Sequence, residues 1–334
     1  MILRNTLDMR NTFLRLLIGI LLSTTTTKAQ ELKERMVIGT NVVCRAQPSA
    51  LSRAELPLQL GDLIGVSRQT RMDGVTWYFD QWHIRGLNPT CWVFGPVTTE
   101  FMRSDPESAL LVLIDHMLQR KDNVPFMEFV EAENLLSGEP YRDVARSSGL
   151  LLFRRLLLVD RAVKSADGQN RANERENALK KAWALAHEAQ GLLRVDPFGG
   201  GWYVPSEPLW NLYEMYKDKP WADDVAWMAA QHTSPADECY SDCVLQIKII
   251  DGTMQYWARL PNGKRIREAL RFAARDAKYA AELACDGKNS TQHSLAVSAP
   301  LLNQIRTSLT AVNVSEKLQL LDYLAQAEKC SGQG

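Results

Sequence analysis

Two hydrophobic periods follow one another along the chain. Between residues 35 and 102, short apolar runs rich in valine, isoleucine and aromatic residues are separated by turn residues. Closely spaced runs of this kind predict the strands of a small barrel or sandwich. The runs are Val37-Ile38, Val42-Val43, Leu58 to Leu60, Leu63 to Val66, Val75 to Phe79 and Cys91 to Phe94.

From Asp105 onward the period becomes helical. Asp105-Pro106 predicts an N-cap followed by proline at the first helical position. Four apolar faces then predict helices, at Leu110-Leu113-Ile114-Met117-Leu118, Leu179-Ala182-Trp183-Ala186, Trp221-Val225-Met228-Ala229 and Ile266-Leu270-Ala273-Ala277-Ala280. The predicted fold class is therefore α+β and multidomain, with a small all-β domain at 35–102 and an all-α domain of antiparallel helix pairs at 105–330.

Residues 1–29 have the order of a secretory signal peptide. Arg10 and Arg15 precede the apolar run Leu16 to Leu22, and small residues precede a predicted cleavage after Ala29. Met1 and Met9 both remain open as the start. The run is far shorter than the roughly 20 residues of a spanning helix, so we expect an exported periplasmic or extracellular protein without a membrane span.

Charge and cysteine content restrict the classes of partner and cofactor that the chain is expected to bind. The chain has 39 basic and 39 acidic residues, and removing residues 1–29 leaves 35 against 38, a net charge of −3. This balance, without a basic stripe, predicts no nucleic-acid partner. Six cysteines fit an oxidising compartment. Because none forms a C-x-x-C pair and Cys239 and Cys243 lack a matching second pair of ligands, we predict no metal site and no cofactor.

Ordered landmarks of a known family occur within the β-rich segment. They are Arg45-Ala46-Gln47-Pro48-Ser49, Leu60-Gly61-Asp62, Trp77-Tyr78 and Trp92-Val93. Their order and intervals resemble the bacterial SH3-like (SH3b) domain of cell-envelope proteins, over about a fifth of the chain. The resemblance implies a small β-barrel that binds an extended peptide or peptidoglycan.

The same resemblance assigns roles to individual aromatic residues. Trp77 and Trp92 match landmark positions that mostly fill the barrel. Tyr78 alternates away from Trp77, and Trp82 lies near a hairpin end. Tyr78 and Trp82 are therefore the predicted ligand-binding residues.

Two departures from the SH3b pattern are cysteines. Cys91 replaces a glycine of the family, and Cys44 falls where the family has its early Asn-Val. Such a barrel would bring these strands together, so the resemblance implies a disulfide between Cys44 and Cys91. The other four cysteines form a separate set with three possible pairings, of which we favour Cys239 with Cys243 and Cys285 with Cys330.

A turn in the helical region resembles a second family. Tyr256 to Lys264, followed by Glu268-Ala269-Leu270, is similar to the turn between paired helices of tetratricopeptide-like envelope proteins. Only one copy is present, without a regular period, so no repeat array is predicted. The resemblance implies a helical surface for a protein partner.

Catalytic motifs are incomplete. Asp242-Cys243 resembles the nucleophile motif of wall-cleaving cysteine peptidases, with His293 as a candidate base, but the following Ser-Gly is Val244-Leu245. His187-Glu188 starts like a zinc-peptidase helix but lacks the second histidine. We therefore predict no catalytic residues.

The leading hypothesis is a non-enzymatic binding or scaffolding protein of the cell envelope. The alternative is a cell-envelope hydrolase of the cysteine-peptidase kind, with a site that the sequence does not reveal. Finding His187, His232 or His293 in a cleft with a cysteine or carboxylate would favour the alternative. The carboxylate pair Asp223-Asp224 is predicted to be solvent-exposed charge.

Overall fold

A computed structural model describes residues 33–80, 90–120, 124–167, 174–196, 201–233, 241–286 and 297–331. The predicted signal peptide and three predicted functional residues, Trp82, Cys239 and His293, lie outside these ranges. Within them, no helix combines the length and the apolar character needed to cross a bilayer.

The N-terminal region is an antiparallel sheet of seven strands. In chain order they are β1 Lys33–Val37, β2 Val42–Arg45, β3 Ala54–Leu58, β4 Leu63–Met72, β5 Val75–Asp80, β6 Cys91–Phe94 and β7 Thr98–Phe101. Their order across the sheet is β3-β2-β6-β5-β4-β1-β7. In the described residues the sheet does not close on itself. The structure therefore shows the predicted β region, but not a barrel.

The long hairpin of β4 and β5 is set by its turn. Met72 pairs with Val75, which leaves Asp73 and Gly74 as the two loop residues. Their φ angles are 51° and 78°. A two-residue hairpin loop with positive φ at both positions favours Asp-Gly, because aspartate tolerates the left-handed region and glycine has no Cβ to clash.

The helices are α1 Pro106–Gln119, α2 Phe126–Ser137, α3 Arg142–Ser147, α4 Gly149–Asp167, α5 Glu174–Ala189, α6 Ser206–Tyr216, α7 Ala222–Gln231, α8 Ser241–Val244, a π-helical segment Leu245–Thr253, α9 Met254–Arg259, α10 Ile266–Asp286, α11 Ala299–Ser308 and α12 Glu316–Ser331. A short antiparallel pair, β8 Arg194–Val195 with β9 Trp202–Tyr203, lies between α5 and α6. The sheet region followed by helices confirms the coarse α+β class.

The contacts divide the described chain into two compact units. One contains residues 33–35, 43–57, 63–80 and 90–96, and is called the sheet unit below. The other contains residues 36–42, 58–62 and the described chain from 97 onward, and is called the helical unit. The sequence-based limits at 35–102 and 105–330 assign residues 36–42, 58–62 and 97–102 to the β domain instead.

The first helix begins as its sequence predicts. An Asp105 side-chain oxygen accepts a hydrogen bond from the Ser108 backbone N–H at 3.3 Å, and Pro106 is the first helical residue. The predicted apolar residues of α1 are buried except Leu118, which is half-buried. The predicted faces of α7 and α10 are also buried, apart from the half-buried Trp221 that precedes α7.

The buried face of α5 differs from the prediction. Leu179, Ala182 and Ala186 are exposed, whereas Ala184 and His187 are buried and Trp183 is half-buried. The reason is the neighbouring helix α2. Its Phe126 ring packs edge-to-face on Trp183, with ring centroids 5.3 Å apart.

The turn at Pro261-Asn262-Gly263 joins α9 to α10, and Asp223 accepts hydrogen bonds from residues on both sides of it. The Tyr256 hydroxyl donates to Asp223 Oδ1 at 2.9 Å, and the Lys264 N–H donates to Oδ2 at 2.9 Å. Burial, together with this carboxylate, raises the pKa of the Tyr256 phenol. The prediction that Asp223 is merely a solvated charge was therefore wrong.

Two cysteine pairs lie at disulfide distance. Cys44 in β2 and Cys91 in β6 have Cα atoms 5.6 Å apart, and Cys285 in α10 and Cys330 in α12 have Cα atoms 5.0 Å apart. Both pairs are compatible with the predicted bonds. Cys243 is disulfide-bonded, but its predicted partner Cys239 lies outside the described residues, so that pairing stays a prediction.

Candidate functional site

Tyr78, the described member of the predicted ligand-binding pair, lies in β5. Its ring is half-buried, and the Arg35 guanidinium carbon is 4.3 Å from the ring centroid. Trp77 is buried, as its landmark position predicts, whereas Trp92 remains half-buried. Whether Tyr78 and Trp82 form one surface is left untested, because Trp82 lies outside the described residues.

The other face of β5 carries a row of four side chains. Phe79 pairs with Arg68 on β4 and with Trp92 on β6, and Trp92 pairs with Arg45 on β2. Directly opposite residues share one face of a sheet. Arg45, Trp92, Phe79 and Arg68 therefore form one line across four strands, the arginine–aromatic row.

The row places cations against aromatic rings. The Arg68 guanidinium carbon lies 4.1 Å from the Phe79 centroid and 5.9 Å from the Trp92 centroid. The two rings are 5.0 Å apart. Arg45 donates from Nη1 to the Ser52 carbonyl oxygen at 2.6 Å. Sequence reasoning missed this row, although the alternation of Trp77 with Phe79 and of Trp92 with Phe94 was its signal.

Glu133 is a buried carboxylate in the helical unit. Arg155 Nε, from α4, donates to Oε1 at 2.6 Å, and His187 Nε2, from α5, lies 3.4 Å from Oε2. Burial alone would raise the pKa of Glu133, but the facing His187 and Arg155 lower that pKa on balance. The other nitrogen of His187 is 2.9 Å from the Trp183 carbonyl oxygen, which can only accept, so Nδ1 is the donor there.

A cavity of about 280 Å³ opens beside this carboxylate, and we call it the arginine cavity. It is walled by α2, α3, α4 and α5 and lined by Arg142, Arg146 and Arg155. Trp183 and His187 also line it, with ring centroids 4.2 Å apart. The lining thus contains three guanidinium groups and one carboxylate, which makes it positive. None of these arginines was singled out from the sequence.

Asp160 on α4 is the centre of a second buried group. His232 Nε2 lies 2.8 Å from Asp160 Oδ1, and Lys164 Nζ donates to Oδ2 at 2.7 Å. His232 Nδ1 lies 2.8 Å from the Met228 carbonyl oxygen. Both ring nitrogens therefore face hydrogen-bond acceptors. Burial opposes ionisation of Asp160, but His232 and Lys164 lower its pKa on balance.

The criterion for the hydrolase alternative, a histidine in a cleft with a carboxylate, is met at His187, but no nucleophile among the described residues is hydrogen-bonded to it. His187 and His232 do face carboxylates, and His187 does so beside a cavity. Among the described residues, however, neither imidazole is hydrogen-bonded to a hydroxyl or thiol. Cys243 is disulfide-bonded and so is not a thiolate nucleophile. A hydrolase would need another nucleophile.

The described part of the chain contains no group of three or more His, Cys, Asp or Glu side chains that could hold a metal ion. No protein-family model, curated protein or solved structure matches the chain. The SH3-like and tetratricopeptide-like resemblances rest on sequence landmarks.

Proposed function

We propose that this chain is an exported, non-enzymatic binding protein of the cell envelope, whose SH3-like sheet holds an extended peptide such as a peptide of peptidoglycan. The arginine–aromatic row is the observation that carries this proposal. It offers a half-buried aromatic ring, Trp92, beside the exposed cation Arg68.

The dimensions of the row suit a short extended chain. Neighbouring strands lie roughly 4.8 Å apart, so four strands place Arg45 and Arg68 about 14 Å from each other. An extended peptide rises roughly 3.3 Å per residue, so about four residues would cover that length. Planar amide groups stack on aromatic rings, while guanidinium groups pair with carboxylates. The favoured ligand is therefore a short acidic peptide.

Export is supported by the signal-like residues 1–29 and by the cysteine pairs at disulfide distance. The helical unit contributes a surface for a protein partner in this proposal. Its support is the helix hairpin at Pro261-Asn262-Gly263, together with exposed apolar side chains such as Met215 and Leu318.

The test is titration of the whole exported chain with soluble peptidoglycan fragments, followed by tryptophan fluorescence. Arg68→Gln should weaken binding about tenfold, because a charge-assisted contact is lost without removal of a buried ring. Tyr279→Ala is the matched control, since Tyr279 is an exposed aromatic residue of the helical unit. Equal weakening in both variants, or no saturable binding, would remove the row as the site.

The sequence-based assignment to Tyr78 and Trp82 is tested in the same titration. A double Tyr78→Ala, Trp82→Ala variant that loses binding while Arg68→Gln retains it would move the site to the other face of β5. Cleavage of the fragments during the titration would establish the hydrolase alternative instead.

A further inference from the structure

We propose that the arginine cavity of the helical unit is a binding site for a small organic carboxylate. All residues that line the cavity belong to the helical unit, so this proposal does not depend on the peptide-binding proposal for the sheet unit. Four observations, on charge, helix geometry, hydrogen bonding and cavity lining, lead to this ligand class.

The first observation is unbalanced positive charge. Arg155 is neutralised by the buried Glu133, and Arg142 pairs with Glu139 at the surface. Arg146 has no ion-pair or hydrogen-bond partner among the described residues and is exposed. The lining therefore carries more positive guanidinium charge than its own carboxylate neutralises. A negatively charged ligand would neutralise the excess.

The second observation is the placement of Arg142 and Arg146. They are four residues apart on α3, so they lie on the same face of that helix, and both line the cavity. Planar guanidinium groups match the two oxygens of a carboxylate. Glu133 already occupies Arg155, and Glu139 pairs with Nη2 of Arg142. An incoming anion would therefore be directed to Arg146 and to Nε of Arg142, which has no hydrogen-bond partner in the described chain.

The third observation is a set of unused donors. Trp183 Nε1 and Arg142 Nε are buried and have no hydrogen-bond partner in the described chain. A buried donor left unpaired is unfavourable, and ligand oxygens would satisfy it. His187 Nε2 is not one of these donors, but it also has no hydrogen-bond partner among the described residues, since its distance of 3.4 Å from the nearest Glu133 oxygen exceeds the usual hydrogen-bond length.

The fourth observation is the apolar part of the lining. Leu136, Leu151, Leu152 and the Trp183 ring face the same space as the arginines. Leu136 and Leu151 are already buried, but an inorganic anion would leave the half-buried Leu152 and Trp183 in contact with water. A carboxylate with a short hydrocarbon part would cover them. A volume of about 280 Å³ lies at the lower end for ligand pockets, which favours a small molecule.

The experiment is isothermal titration of the full chain with benzoate, succinate and inorganic phosphate as probes. We expect saturable binding of at least one carboxylate and at least tenfold weaker binding of phosphate. Arg146→Gln should weaken carboxylate binding about tenfold. Arg161→Gln is the matched control, because Arg161 is exposed on α4 and has no ion pair in the described chain. That control should leave binding unchanged.

Trp183→Phe provides a second variant, since it keeps an aromatic ring and removes the indole N–H together with part of the ring area. It should weaken the bound carboxylate several-fold while circular dichroism stays unchanged. Three results would overturn the proposal: no saturation by either carboxylate, equal weakening by Arg146→Gln and Arg161→Gln, or phosphate binding as tightly as the carboxylates. Arg68→Gln separates the two sites, because it should alter peptide binding and leave benzoate binding intact.

Discussion

The helical unit contains two buried carboxylates with nearly the same neighbours, Glu133 and Asp160. Each faces a histidine, and each histidine also contacts the backbone carbonyl four residues before it. The groups differ in how completely the carboxylate and its histidine are hydrogen-bonded. Asp160 has an imidazole nitrogen and an ammonium nitrogen within 2.8 Å, whereas the imidazole facing Glu133 is 3.4 Å away and borders the arginine cavity.

This difference separates a structural contact from a candidate binding site. Around Asp160, the described acceptors and donors satisfy one another, and the group ties α4 to the end of α7. Around Glu133, buried donors remain without partners and there is room for a ligand. Similar residue types thus connect two helices around Asp160, whereas around Glu133 they leave unpaired groups that a ligand could bind.

Asp160→Ala should have the largest effect on stability. Removing the Asp160 carboxylate leaves His232 without its side-chain hydrogen-bond partner. Loss of one partner of a buried pair lowers the free energy of unfolding by about 3 kcal/mol. Urea unfolding should show a lower midpoint with an unchanged slope. Asp143→Ala, at a side chain that is 86% exposed, is the control and should change the midpoint little.

Glu133→Ala should be less costly, at about 1.5 kcal/mol, because water in the cavity can solvate Arg155 and His187 after the carboxylate is removed. The same urea measurement checks this. A loss equal to that of Asp160→Ala would contradict the distinction between the complete and the incomplete group.

Acid should reduce the stabilisation that Asp160 and Glu133 contribute to the folded chain. The pKa values of Asp160 and Glu133 are lowered in the folded chain. Their stabilisation is therefore present above the unfolded-state pKa values and is lost as pH falls through the folded ones. We expect the unfolding free energy to fall with decreasing pH below about pH 4, and to fall less steeply in Asp160→Asn. Identical slopes in the two proteins would show that Asp160 does not contribute.

Lys164→Gln should have the smallest effect, below about 0.5 kcal/mol. The Lys164 side chain is 63% exposed, and ion pairs at exposed positions contribute little. Thermal unfolding of the variant beside His232→Gln would show which partner of Asp160 matters. A larger loss from Lys164→Gln than from His232→Gln would assign the stabilisation to the ammonium group.

The fold was predictable where the local signal was unambiguous. Strands β2, β4, β5 and β6 contain the predicted β-rich runs, and α1 follows its Asp105-Pro106 start and apolar face. The run Leu58 to Leu60 overlaps β3 only at Leu58, and β7 matches no predicted run. Helix α5 was predicted as an element, but its buried face was not. It offers several small or apolar residues, and the neighbouring Phe126 and Glu133 select Trp183, Ala184 and His187 for burial.

The candidate sites were harder to predict because they depend on register and long-range contact. The arginine–aromatic row requires knowing which residue of β5 lies opposite which residue of β6. Asp160 and His232 are 72 residues apart in the chain, and Glu133 and Arg155 are 22 apart. No local period connects such pairs.

The sequence by itself determined the change from strands to helices, because side-chain period and turn chemistry are local properties of the chain. Only the tertiary structure decided which carboxylate is fully satisfied and which one borders a cavity. The physical reason is packing: donors, acceptors and space are matched between helices that meet after folding, and a mismatch of a few tenths of an ångström separates a complete hydrogen bond from an open position.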